Sequence, residues 1–303
     1  MRAPEFWQHR GILALLLAPL GLLYGFSVTV KARFARPYRS KARVICVGNL
    51  TAGGSGKTPV AMAVAEALIA RGQKVFFLTR GYGGIEAGSV LVTDQTATDV
   101  GDEALLLARI APTVVARDRV QGARFADAKG AEVIIMDDGY QNFSLLKDVS
   151  LLVMDGLGNG LMIPAGPLRE PVREGLARAD ALILFGGGVK DFTGPRLRAR
   201  LEAEGAAFQG KRVFAFAGIG RPEKFVKSLE QAGAIVTGTQ FFGDHHPYSP
   251  SEIVALRRQA KDALLVTTEK DFVRLAPELR QGIGVLKVRA VFDASLDRLL
   301  AAV

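Results

Sequence analysis

Val44-Ile45-Cys46-Val47-Gly48-Asn49-Leu50-Thr51-Ala52-Gly53-Gly54-Ser55-Gly56-Lys57-Thr58 decides the fold. An apolar run runs into a glycine-rich turn, and Lys-Thr then opens the helical pattern from Pro59 to Leu68. Strand, glycine loop and helix in this order cradle phosphate. Glycines let successive backbone N–H groups converge on phosphate oxygens, and the helix N-terminus adds partial positive charge. Lys57 reaches toward β- and γ-phosphates, and Thr58 supplies a hydroxyl to Mg²⁺. The phosphate-binding set is Thr51, Ala52, Gly53, Gly54, Ser55, Gly56, Lys57 and Thr58, and the expected ligand is a nucleoside triphosphate with Mg²⁺. One position departs from the general loop pattern. Thr51 stands where glycine is usual, and threonine does not share glycine's left-handed conformations, so the chain is expected to enter this turn differently.

Further apolar runs follow at Lys74–Thr79, Thr113–Ala116, Glu132–Met136, Ser150–Met154 and Ala181–Phe185, with helical patterns at Val60–Ala70, Asp102–Ile110 and Arg119–Lys129 between them. Runs apolar throughout belong to strands covered on both faces, and alternation with helices implies a parallel sheet. The fold class is therefore α/β, a mostly parallel sheet of the phosphate-loop NTPase type. Gly194–Gly205 reads as a polar helical stretch, after which strand patterns restart at Arg212–Ala217, Ala234–Thr237, Ala263–Thr267 and Gly284–Val288. The expected organisation is an N-terminal apolar helix over 1–30, a nucleotide-binding body over 31–210, and a smaller α/β lobe over 211–303 that closes over a cleft.

Composition supports a globular chain. Of 303 residues, 49% are apolar and 23% charged, which suffices for a sizeable core. The lone cysteine, Cys46, excludes an intramolecular disulfide and sits in the first strand pattern. Gly11–Val30 carries no charge, and Arg10 precedes it while Lys31, Arg33, Arg36, Arg39, Lys41 and Arg43 follow; no acid occurs between Glu5 and Glu66. A helix of this length reaches roughly 30 Å, enough for a bilayer core. Pro19 and the glycines at 11, 21 and 25 suit a bent helix in the interface, with the basic flank on anionic headgroups. Either arrangement keeps the body cytoplasmic. The net charge of +9 fits the same surface or a phosphorylated substrate. Nucleic acid is not implied, because the basic residues are not interleaved with aromatics and no zinc or helix-turn-helix spacing appears.

Four further groups can carry chemistry. Asp137-Asp138 closes the apolar run from Glu132 at the sheet edge where nucleotide folds present an acid to Mg²⁺. Neighbours on a strand point oppositely, so one of the two faces the metal; the spacing does not say which. Asp99-Val100-Gly101-Asp102-Glu103 precedes a helical run, where either aspartate serves as an N-cap and one acid can also serve as general base. His245-His246 follows Asp244, a pair too sparse in partners for zinc. Arg80 follows the second strand at the edge of the phosphate loop, as a phosphate clamp or a turn residue.

Taken in order, Val47-Gly48-Asn49-Leu50-Thr51, Gly53-Gly54-Ser55-Gly56-Lys57-Thr58-Pro59, Thr79-Arg80-Gly81-Tyr82-Gly83, Gly101-Asp102-Glu103, Asp137-Asp138-Gly139-Tyr140-Gln141, Pro164-Ala165-Gly166-Pro167-Leu168-Arg169-Glu170, Asp244-His245 and Thr268-Glu269-Lys270-Asp271 resemble the tetraacyldisaccharide 4′-kinases of lipid A biosynthesis. Thr51 in the loop is what that family shows. The resemblance implies transfer of the ATP γ-phosphoryl group to the 4′-hydroxyl of an acylated glucosamine disaccharide 1-phosphate, at the cytoplasmic face of the bacterial inner membrane. It implies Asp102, paired with His245 across the cleft, as general base, which spacing alone could not select. Lys57 with Arg80 or Arg119 would neutralise phosphate charge, and Thr58, Glu103, Asp137 and Asp138 are the candidate Mg²⁺ ligands. Arg169 and Arg173 are candidates for the sugar phosphate. No protein partner is implied. Two rivals remain: a nucleotide-switch protein, disfavoured for GTP because Lys270 and Asp271 are adjacent, and a soluble kinase with a buried N-terminal helix.

Overall fold

The computed structural model describes residues 4–53, 56–186, 191–220 and 222–302. The expected phosphate-loop residues Gly54 and Ser55 lie outside them. After helix α1 (Ile12–Phe34), the chain alternates as expected: β1 (Arg43–Gly48), α2 (Lys57–Ala70), β2 (Val75–Thr79), β3 (Ser89–Leu91), α3 (Ala97–Val100), α4 (Asp102–Leu107), β4 (Thr113–Ala116), α5 (Arg119–Ala128), β5 (Val133–Asp137), β6 (Val149–Met154), α6 (Val172–Leu176) and β7 (Ala181–Leu184). It continues with β8 (Arg196–Glu204), β9 (Arg212–Ala217), α7 (Pro222–Gln231), β10 (Ile235–Phe241), α8 (Pro250–Ala260), β11 (Leu264–Thr268), α9 (Glu269–Arg274), β12 (Ile283–Phe292) and α10 (Leu296–Ala302).

Among the described residues these strands form one twelve-stranded sheet in the order β10-β9-β11-β12-β8-β7-β6-β1-β5-β2-β4-β3. Pairing is parallel except at β3 with β4 and β8 with β12. Side chains of β1 alternate between two cores. Ile45 and Val47 join the layer beneath α2, whereas Val44 and Cys46 join the layer beneath α5. This double coverage is why β1, β2 and β4 to β7 are apolar along their whole length. Around β9 the alternation repeats, with Val213, Ala215 and Ala217 facing α7 and Phe214 and Phe216 facing α8.

The expected polar helix over Gly194–Gly205 is instead strand β8. Arg196-Leu197-Arg198-Ala199 alternates charged and apolar residues with period two, and Leu197 and Ala199 are buried while Arg196 and Arg198 are exposed. That alternation outweighs the good intrinsic helix preference of Arg, Leu, Ala and Glu. β8 joins the two parallel parts of the sheet. Its start pairs in parallel with β7, and Ala199–Glu204 pairs antiparallel with Lys287–Phe292 of β12, whose first half pairs with β11. The chain then returns: Leu299 and Leu300 of α10 pack in the core beneath α2, and Arg71 pairs with Asp297 at 2.7 Å.

Helix α1 stands apart. It continues through Pro19, and only Ala14, Gly21 and Gly25 are buried. Met162 lies against Gly21 and Gly25, where an added Cβ would meet its carbonyl oxygen at 2.8 Å and collide with its sulfur, so small residues permit the contact. Ile12, Leu16, Leu22, Leu23 and Phe26 are exposed. The helix is long and apolar enough to cross a membrane, at about 35 Å.

Candidate active site

β1 and β5 are neighbours in register, with Val47 beside Asp137, so the phosphate loop and the acid pair leave the sheet at the same edge. Thr51 does not need glycine's freedom. It forms an isolated bridge to Leu168, and the Ala52 N–H donates to the Pro167 carbonyl at 2.7 Å. The segment Pro164–Arg169 thus holds the start of the loop in extended form, and glycine is needed later. Gly56 caps α2 at φ +80°, and its α-carbon faces Phe185 so closely that a Cβ would lie 2.8 Å from the ring. The same segment holds the N-terminal region: Trp7 Nε1 donates to the Pro164 carbonyl at 2.9 Å, and Arg10 Nε to that of Asn159 at 2.9 Å. The apolar helix is therefore anchored to the wall of the phosphate loop.

The aspartate pair divides. Asp137 Oδ2 accepts from Thr58 Oγ1 at 3.1 Å, and its Oδ1 is buried without a hydrogen-bond partner. Asp138, at φ +51°, turns away, accepting from Arg169 at 2.9 Å with Lys57 Nζ at 3.6 Å. Burial, reinforced by Asp138, pushes the Asp137 carboxyl up to about 6. Burial would also raise Asp138, but Lys57 and Arg169 outweigh it and hold it below the ordinary range. Lys57 itself is lowered by burial.

Asp99 and Asp102 separate just as cleanly. Asp99 closes a capping box with Thr96, whereas Asp102 is buried and faces the C-terminal part of the sheet. Its Oδ2 accepts from Arg274 and lies 3.4 Å from His245 Nδ1. Burial opposes ionisation of Asp102. Side-chain hydrogen bonding with His245 and Glu103, with the charges of Arg274 and Lys270, prevails and holds it far below the usual carboxylate range. The hydrogen bond to Asp102 raises His245 in turn. His246 points elsewhere, stacking on Phe242 and bonding Glu252 at 2.9 Å.

Glu103 places Oε1 on Lys270 Nζ and leaves Oε2 buried and unpaired. The two orphaned carboxylate oxygens and the Thr58 hydroxyl are oxygen donors of the kind a hard divalent cation takes. Among the described residues no cluster of three or more His, Cys, Asp or Glu forms a self-sufficient metal site. Mg²⁺ takes one or two carboxylates and completes its octahedron with phosphate and water.

The two arginines differ. Arg119 is buried, donates to the Ala116 carbonyl at 2.6 Å, leaves Nε unpaired, and is lowered to about 10 by burial. Arg80 is exposed and makes no hydrogen bond or ion pair among the described residues. It is close enough to Arg119 for the two charges to repel. Arg169 is committed to Asp138, and Arg173 is exposed.

The family model described as tetraacyldisaccharide-1-P 4′-kinase matches residues 13–303. The chain belongs to this family. A tetraacyldisaccharide 4′-kinase of Paramagnetospirillum magneticum is 52% identical, with 97% of this chain and 95% of that protein covered. One from Rhodospirillum rubrum is 48% identical over 99% of this chain and 98% of its own. A crystal structure described as the "apo" form of LpxK from Aquifex aeolicus in complex with ATP superposes with a TM-score of 0.79 at 27% identity, covering 96% of this chain and 99% of that one. The chain is thus a kinase of lipid A biosynthesis. Within the kinase, Arg274 was missed by sequence reasoning, and Lys270 and Asp271 were quoted only as part of the Thr268–Asp271 motif, without a role. For Arg274 the available signal was that Lys270 and Arg274 stand four apart and share a helix face.

Proposed function

We propose that the chain transfers the γ-phosphoryl group of ATP to the 4′-hydroxyl of a tetraacyldisaccharide 1-phosphate lipid, at the cytoplasmic face of the inner membrane. The observation that carries this reading is the meeting of Asp102 with His245, Oδ2 to Nδ1 at 3.4 Å. Phosphoryl transfer asks chiefly for in-line positioning and charge neutralisation. Lys57 would hold the β- and γ-phosphates, and Arg119 would add positive charge from below, with Arg80 at the rim. Asp102 would accept the 4′-hydroxyl proton as the oxygen attacks the γ-phosphorus and the bond to the ADP oxygen breaks. His245, donating to Asp102, would orient that carboxylate. Thr58, Asp137 and Glu103 would hold Mg²⁺, which supplies neutralisation of the phosphate oxygens when bound; Asp138 would instead orient Lys57.

The division into an N-terminal helix, a nucleotide-binding body and a smaller lobe over 211–303 is part of the same proposal. A base assembled from both walls is complete only when they meet, which limits transfer to water. Helix α1 would rest in the bilayer with its exposed leucines, the basic residues after it would meet anionic headgroups, and the acyl chains would stay in the membrane. Its anchorage to the Asn159–Arg169 segment supports a water-filled site held close to an insoluble acceptor.

The test is incubation of the purified protein with labelled ATP and the disaccharide lipid in detergent. Labelled lipid is expected, and Lys57→Ala and Asp102→Ala are expected to abolish it while remaining folded. Normal turnover by either folded variant would contradict the role assigned to it.

A further inference from the structure

The reaction as described leaves two cations without a task. Lys270 and Arg274 stand one helical turn apart on α9, and each reaches one of two consecutive acids on α4: Lys270 to Glu103, and Arg274 to Asp102. Arg274 is held from behind. Its Nη1 donates to the Gly218 carbonyl at 2.7 Å and to Asp271 Oδ1 at 2.9 Å. Asp271 is fully buried and also accepts from the Gly218 N–H and the Tyr248 hydroxyl, both at 2.9 Å. The guanidinium therefore arrives at Asp102 already oriented, and the same Nη2 lies 3.4 Å from His245 Nδ1. It touches both members of the proposed base pair.

Stability alone is a poor account of this arrangement. Desolvating two ions offsets most of the attraction between them, so a buried pair of this kind adds little net stability over apolar packing. Placement is the more informative fact. A carboxylate that must accept a proton, and another that must present one oxygen to a cation, both need fixed rotamers, and fixed rotamers come from partners that do not themselves move. Lys270 takes one oxygen of Glu103 and leaves the other buried and free.

We propose that α9 is the positioning element of the site: Arg274 fixes Asp102 against His245, and Lys270 fixes Glu103 so that its free oxygen faces the divalent cation. The inference rests on the reading of Asp102 as the base. Arg274 and Lys270 are positioning residues, and each acts through the carboxylate it holds.

The experiment uses the full chain with Arg274→Met, Arg274→Lys, Lys270→Met and, as a control, Asp102→Asn, with rates referred to folded enzyme by circular dichroism. Arg274→Met is expected to lower kcat on the order of 10²-fold with the KM for ATP unchanged, as for a reacting group displaced by about 1 Å. Arg274→Lys keeps the charge but loses the forked geometry, and should recover part of the loss. Should Arg274→Met fail to accumulate in folded form, Arg274→Lys carries the same test through its reduced kcat and unchanged KM. For Lys270→Met the readout is equilibrium binding of a fluorescent ATP analogue. Binding in EDTA should match the parent, while several-fold more Mg²⁺ should be needed to tighten it. A folded Arg274→Met with parental kcat, or a Lys270→Met with parental Mg²⁺ dependence, would overturn the inference. An inactive Asp102→Asn beside a fully active Arg274→Met would overturn it alone, whereas full turnover by Asp102→Asn would overturn the base reading and the role of Arg274 together.

Discussion

Asp137→Asn is expected to make the nucleotide-free enzyme more stable at neutral pH while destroying its function. Asp137 is fully buried, one of its oxygens has no hydrogen-bond partner, and burial with the adjacent Asp138 carries its carboxyl from an ordinary 3.8 up to about 6. A pKa raised in the folded state contributes stability that is complete below about 3.8 and lost as pH rises through about 6. The difference of about two pH units, at 1.36 kcal/mol each, is about 3 kcal/mol of cost for holding Asp137 ionised without a cation. Asparagine keeps the shape and still accepts from Thr58, yet carries no charge. Thermal unfolding of both proteins at pH 5 and pH 8, without Mg²⁺, tests this. The advantage of the variant should grow with pH toward roughly 5 °C. Adding Mg²⁺ and an ATP analogue should reverse the order, because the parent alone gains from binding. A variant less stable than the parent at pH 8 without Mg²⁺, or a difference that ignores pH, would refute the reasoning.

His245→Ala should lower kcat more than ATP affinity, since its proposed contact is with the base; unchanged kcat with weaker binding would assign it to nucleotide binding. Because pairing with Asp102 raises the histidine's pKa, its stabilising contribution is present below about 6.5 and lost as pH rises through the raised value, so the variant should be destabilised more at pH 6 than at pH 9. A destabilisation equal at both pH values would contradict the pairing. Charged replacements at the exposed Leu16 and Leu23 should release the protein from anionic liposomes with little change in Tm; a fallen Tm with retained liposome binding would mark α1 as a core helix. Gly56→Ala, forced to a left-handed φ and against Phe185, should cost about 1–2 kcal/mol of stability and weaken ATP binding, and parental ATP affinity would count against the loop geometry.

What was legible in the sequence was local. Thr113–Ala116 and Arg212–Ala217 were bounded to the residue because apolar runs closed by turn residues announce buried strands. β8 was misread because its charges suggested a solvated helix, although its period-two alternation was present throughout. The phosphate loop was clear from its glycines, but the reason Thr51 suffices lies in Leu168, more than a hundred residues away in sequence. The same distance hid the choice between Asp99 and Asp102, both plausible helix caps. One caps, and the other meets Arg274, 172 residues downstream. Which of Asp137 and Asp138 meets Thr58, and which meets Arg169, depended likewise on distant parts of the chain.

The central claim is that a triphosphate on the Lys57 loop and the Asp102 carboxylate converge on one acceptor hydroxyl. A crystal structure with Mg²⁺, a non-hydrolysable ATP analogue and the disaccharide lipid measures this directly. The account predicts the terminal phosphorus beside Lys57, with the 4′-hydroxyl between it and Asp102, within hydrogen-bonding distance of the carboxylate. A terminal phosphate remote from Lys57, or a 4′-hydroxyl that does not reach Asp102 with the cleft shut, would contradict it.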